Sequence, residues 1–120
     1  MVLVDTSVWV SHLRDSNSRL EQLLNKGEVI CHPFVIGELA CGSIKNRSVI
    51  LSLLNALPKA EILTDEEILL FIEKNNLMGR GLGLIDIHLL ASAILSEAAL
   101  WTSDNKLKQE ARTLGMSCEY

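Results

Sequence analysis

Aromatic residues make up only 4% of this 120-residue chain, which argues against nucleic-acid recognition by bases stacked on an aromatic sheet face. Only two prolines are present, Pro33 and Pro58, and no Pro-, Gly- or Ser-rich tract separates one part from another. The expectation is therefore a single domain over residues 1–120, long enough to bury a core without disulfides or a structural metal. The three cysteines cannot all pair within one chain, and their apolar surroundings suit buried thiols in a reducing cytoplasm. Cys31, His32 and Cys41 lack the paired close spacing of a zinc site. Although 48% of the residues are hydrophobic, no apolar run approaches the ~18 residues of a membrane span. The N-terminus lacks a basic region followed by a long apolar segment, so no secretory signal is expected. An excess of basic residues is missing too: 11 Lys and Arg stand against 15 Asp and Glu, a net charge of −4. That balance argues at first against a phosphate-rich partner. If four carboxylates were gathered around metal ions, however, the remaining eleven would balance the cations, so nucleic acid is not excluded.

What is present is an alternation of short β-branched runs and apolar-striped segments. Strands are predicted at 2–4, 28–31, weakly at 60–63, at 99–102, and as a fifth at 116–118. Helices are predicted from Val8 through Leu13, from the Ser16-Asn17-Ser18 caps to Gly27, from Pro33 to Gly42, and from Asn46 or Ser48 to Pro58. Thr64, followed by Asp65, Glu66 and Glu67, has the capping-box spacing of a further helix start. A glycine loop at 78–83 precedes a long apolar helix from about Leu84 to Glu97, and a polar helix runs from Asn105 to Leu114. The glycines match no nucleotide fingerprint, since no strand precedes them. Strands separated by helices imply an α/β three-layer sandwich with a mostly parallel sheet of four to five short strands. Ligands gather beyond the carboxyl ends of such strands. The five consecutive apolar residues 68–72 exceed what one buried face needs, which leaves either a partner surface or an all-buried helix.

Four carboxylates stand in awkward apolar company. Asp5 follows the first strand, Glu38 lies in an apolar helix on the face expected for Val35, Leu39 and Cys41, Asp86 lies in the most apolar helix, and Asp104 follows the fourth predicted strand. Each can be a helix cap or a partner of a buried Arg. Too few basic residues lie in the apolar segments to neutralise all four separately, whereas a divalent cation would neutralise several at once. All-oxygen ligands select Mg²⁺ or Mn²⁺, and an incomplete protein cage that leaves water on the ion suits phosphodiester hydrolysis. Thr6, Ser7, Ser103 and Asn105 offer hydroxyl and amide groups at the same edge, either for water and phosphate or simply as caps. Lys45, Arg47, Arg80, Lys106 and Lys108 are candidate phosphate contacts by charge alone. His88, Trp9 and Trp101 read as core residues.

The motifs Val-Asp-Thr-Ser at the N-terminus, Val-Ile-Gly-Glu-Leu-Ala around Glu38, Gly-Leu-Gly-Leu-Ile-Asp-Ile-His around Asp86 and Leu-Trp-Thr-Ser-Asp-Asn-Lys around Asp104 occur in that order over essentially the whole chain. Together they resemble the PIN-domain ribonucleases, and among these the VapC toxins of bacterial toxin–antitoxin pairs. The resemblance implies that Asp5, Glu38, Asp86 and Asp104 bind Mg²⁺ or Mn²⁺ for endonucleolytic RNA cleavage in the cytoplasm. It also implies a homodimer and a VapB-type antitoxin that blocks the site. The rival reading is a non-catalytic module whose acidic pocket holds a divalent ion or an Arg-bearing partner. A phosphoryl-transfer receiver is disfavoured, because neither an adjacent acid pair nor a strand-end Lys follows the strands.

Overall fold

In the computed structural model, which describes residues 1–118 and 120, the chain begins with β1 (Val2–Val4), α1 (Thr6–Asp15), α2 (Ser18–Asn25), β2 (Val29–Ile30) and α3 (Pro33–Cys41). It continues with α4 (Arg47–Ala56), α5 (Asp65–Asn75), α6 (Leu84–Leu95), β3 (Ala99–Trp101) and α7 (Asn105–Thr113). The three strands form one parallel sheet in the order β2-β1-β3. Val2 pairs with Val29 on one side and Ala99 on the other, and Val4 pairs with Trp101. All three residues of β1 are buried. Successive strand side chains face opposite ways, so both sheet faces are covered, as expected of a parallel α/β sheet.

The sheet has fewer strands than the sequence predicts. The segment at 60–63 forms no strand: the bridge to Cys31 falls one residue earlier, at Lys59, and beyond it the Glu61 N–H turns to the Ser96 hydroxyl and Ile62 is exposed. The segment at 116–118 is one bridge, Leu100 with Ser117. The α/β class and the parallel direction stand.

Local chemistry explains the helix ends. Asn17 caps α2 through the Leu20 N–H, and Gly27 leaves that helix at φ +68°, where a glycine carries no Cβ penalty. The capping box of Thr64 and Glu67 is formed at the start of α5. Pro33 occupies the first turn of α3, and the residue before it, His32, is the cap: its Nδ1 accepts the Phe34 N–H at 3.0 Å. Leu3, Leu20, Leu39, Leu89, Leu90 and Leu100 are fully buried in one core, each worth roughly 2 kcal/mol relative to exposure. Trp9, Trp101 and His88 are buried as expected.

The topology makes one edge of the sheet special. β1 and β3 are parallel, so Asp5 and the 102–104 segment leave the sheet side by side, and the Asp5 N–H donates to the Trp101 carbonyl at 2.9 Å. α6 reaches β3 through a short turn and therefore runs against it. This returns the N-terminus of α6, with Asp86, to the same edge.

Candidate metal-binding acidic site

Asp5 caps α1 and is the first of the four candidate acids. Its Oδ1 accepts the Thr6 N–H at 2.7 Å, and its Oδ2 accepts the Ser7 hydroxyl at 3.0 Å and the Thr102 hydroxyl at 2.7 Å. With 7% of its surface exposed, it is the buried member of the four acids, and its three donors offset the cost of that burial. The Ser7 oxygen also accepts the Ser103 N–H at 3.1 Å. Thr102 accepts the Asp104 N–H at 3.1 Å, so a single hydroxyl joins the two acids at the ends of β1 and β3. Asp104 in turn caps α7 by accepting the Leu107 N–H at 2.9 Å.

Glu38 and Asp86 approach from the helices. Thr6 donates its hydroxyl to Glu38 Oε1 at 2.6 Å, tying α1 to α3. Contrary to the expectation of a buried face, Glu38 is exposed, and so is Cys41 one turn on, while Val35 and Leu39 fill the core. The covered stripe of α3, Val35 and Leu39, is narrower than its apolar run. Asp86 is half-buried, and its Oδ2 accepts the Gly83 N–H at 3.0 Å, bracing the first turn of α6. Burial pushes the Asp86 carboxyl above the ordinary range against the pull of that hydrogen bond. Asp5, Asp104 and Glu38, in that order, push it further by charge repulsion.

The four acids thus share one electrostatic field, and the N-termini of α1, α6 and α7 point their positive ends into it. Among the described residues, no three His, Cys, Asp or Glu side chains stand together at the spacing of a metal's ligands. Repulsion and spacing agree on an open arrangement rather than a closed cage. In donor type the set is entirely oxygen, four carboxylates with the Thr6, Ser7 and Thr102 hydroxyls beside them. Such a set fits a hydrated hard cation such as Mg²⁺ or Mn²⁺, which keeps several waters.

The remaining predicted residues divide. Thr6, Ser7 and the Ser103 backbone take part in the network, while Asn105 is the exposed first residue of α7. The Arg80 guanidinium binds Glu110 on α7 at 3.1 Å, and the Arg47 guanidinium donates to the Gly42 carbonyl at 3.2 Å. Lys106 crosses Gly81, and Lys108 is half-buried. Lys45 and Arg14 line a groove of ≈ 610 Å³ whose wall includes Glu38. Sequence reasoning missed Thr102, which it took only as the last residue of a strand. The available signal was a hydroxyl at the carboxyl end of a strand, two residues before an acid.

A model of the PIN domain matches residues 2–112. The chain is 48% identical over 118 residues to Ribonuclease VapC32 from two strains of Mycobacterium tuberculosis, covering 98% of this chain and 95% of the relative. The crystal structure of PAE2754 from Pyrobaculum aerophilum shares the fold, with a TM-score of 0.61 at 20% identity over 94% of this chain and 85% of that one. With residues 2–112 matched by the family model and 98% of its length by the relatives, the chain belongs to the PIN-domain family, among the VapC-type members.

Proposed function

We propose that the protein is an endoribonuclease, dependent on Mg²⁺ or Mn²⁺, that acts as the toxin of a toxin–antitoxin pair. The observation that carries this reading is the meeting of Asp5, Glu38, Asp86 and Asp104 at one sheet edge, where Asp86 feels the charge of the other three. The similarity to Ribonuclease VapC32 supports RNA as the substrate. Asp5, Glu38, Asp86 and Asp104 are the residues to hold the ion. When bound, the ion supplies Lewis acidity toward a phosphodiester and lowers the pKa of water. The chain's own contribution is orientation. Three donors fix the Asp5 carboxylate, Thr6 sets Glu38, and Thr102 sets the turn that carries Asp104. Lys45, Arg47, Lys106 and Lys108 are the proposed phosphate contacts.

A VapB-type antitoxin and a second copy of the chain are the proposed protein partners, in the cytoplasm. The support is exposed apolar surface: Val49 and Leu53 on α4, and Leu69 and Leu70 on α5, are each more than half exposed. The apolar surplus at 68–72 is thus not an all-buried helix, since only Ile68 of that run is buried. Among the described residues no helix is long and apolar enough to cross a membrane.

The test is cleavage of structured RNA by purified protein with Mn²⁺, with EDTA, and with Asp5→Asn. Cleavage only by the wild type with metal is expected. Cleavage that survives both EDTA and Asp5→Asn refutes the metal-nuclease reading. Ion binding with no cleavage of any RNA supports the acidic binding module instead.

A further inference from the structure

The loop at 78–83 connects α5 to α6, and its second half lies along α7. Arg80 donates through Nη1 to Glu110 Oε1 at 3.1 Å and through Nε to the Asn76 carbonyl at 2.8 Å. Both bonds hold the guanidinium plane, which leaves it little freedom to swing toward a phosphate. Glu110 is 8% exposed and sits on the buried face of α7 with Leu107 and Ala111. A carboxylate there is costly without its partner, and an apolar residue would pack the same position at no such cost. One residue beyond Arg80, Gly81 adopts φ +76°, and the Lys106 side chain passes so close that a Cβ would lie 2.9 Å from Nζ. Lys106 follows Asp104 by two residues. Gly83, the last residue of the loop, gives its N–H to Asp86. Residues 80–83 therefore bridge the helix that Asp104 caps and the helix that carries Asp86.

We propose that the Arg80–Glu110 ion pair is a positioning device that sets the separation of Asp86 and Asp104. It rests on the metal-nuclease reading above, and it moves Arg80 from the candidate phosphate contacts to the support of the acids. Arg80 acts on the site through the loop and the Gly83–Asp86 bond, and Glu110 acts through α7.

The experiment compares wild type, Arg80→Gln, Arg80→Lys, Glu110→Gln and the exchanged pair Arg80→Glu with Glu110→Arg. Mn²⁺ affinity is measured by electron paramagnetic resonance without RNA, and amide exchange is followed at Gly83. RNA cleavage is then followed across Mn²⁺ and RNA concentrations. Arg80→Gln and Glu110→Gln should each weaken Mn²⁺ binding about tenfold, as loss of an outer-shell support does. The KM for RNA and its salt dependence should hold, and the Gly83 amide should exchange faster. Arg80→Lys and the exchanged pair should recover part of the affinity. An intact Mn²⁺ affinity with a raised KM for RNA would make Arg80 a phosphate contact and overturn the proposal. A lowered melting temperature with unchanged Mn²⁺ affinity would overturn it as well. Should the wild type neither bind Mn²⁺ nor cleave RNA, the metal-nuclease reading falls. The Gly83 exchange rate then decides the positioning role alone, with faster exchange in Arg80→Gln supporting it and unchanged exchange refuting it.

Discussion

Replacing Thr102 with Val tests how the two strand-end acids are joined. The two side chains are nearly the same shape, and Thr102 is 1% exposed, so the change deletes a hydroxyl without opening a cavity. Two bonds go with it: the 2.7 Å donation to Asp5 and the 3.1 Å acceptance from the Asp104 N–H. A bond to a charged acceptor is worth about 1.5–3 kcal/mol, and leaving the part-buried amide unpaired costs about 1 kcal/mol more. The sum is about 3 kcal/mol. At roughly 3–5 °C per kcal/mol for a domain of this length, Thr102→Val should melt about 10 °C below wild type. Thr102→Ser keeps both bonds and loses one methyl, a cost of about 1 kcal/mol. Thermal unfolding followed by circular dichroism in EDTA at neutral pH gives the comparison. The reasoning fails if Thr102→Val melts within about 2 °C of wild type, or if Thr102→Ser falls as far as Thr102→Val.

Three further outcomes are expected. Burial first, and the charge of His88 second, push the His32 imidazole down to about 4. Because the folded state holds His32 neutral, its contribution is complete above the unfolded value near 6.5 and drains away as the pH falls toward 4, by about 3 kcal/mol at most. His32→Asn, which also caps a helix, should flatten the wild-type loss of stability in that window, and parallel pH curves for the two proteins would refute this. Asp86 has its folded pKa raised, so its charged form burdens the fold at pH values above that of the free side chain. Asp86→Asn should therefore melt higher than wild type in EDTA at neutral pH while losing the Mn²⁺-induced rise in melting temperature, and a lower melting point in EDTA would contradict the assignment. Gly81→Ala places a side chain at φ +76° against Lys106, which should cost about 1 kcal/mol in urea unfolding. No measurable loss would show that the loop relaxes freely.

The sequence made the acids legible because each sits at a boundary that local rules describe: a strand end, a helix start, a charged residue among aliphatic ones. Asp5 shows that the modest reading and the functional one are compatible, since one carboxylate caps α1 and also faces the site. Glu38 lies in the expected helix but not on its buried face, because an apolar run does not reveal how much of it the rest of the fold will cover. The third predicted strand does not form and the fifth is a single bridge for a similar reason, as pairing partners at a sheet edge are decided by tertiary contacts such as Glu61 with Ser96. The His32 cap on the Phe34 N–H is local, but histidine is not among the usual cap residues. The Thr102 bond to Asp5 joins residues 97 positions apart, and local pattern carries no trace of it. The same holds for the buried polar atoms His32 Nε2, His88 Nδ1 and Ser92 Oγ, which lack hydrogen-bond partners among the described residues.

Three of the four acids also hold up the ends of helices: Asp5 begins α1, Asp104 begins α7, and Asp86 braces the first turn of α6. Asparagine serves a helix start about as well as aspartate, and the two differ by a single nucleotide in the codon. A single-base Asp-to-Asn change at these positions would therefore leave a folded protein with its outer surfaces intact. Under the proposed function, such a change would remove the activity and leave a stable decoy, able to compete with the active form for whatever binds the surface.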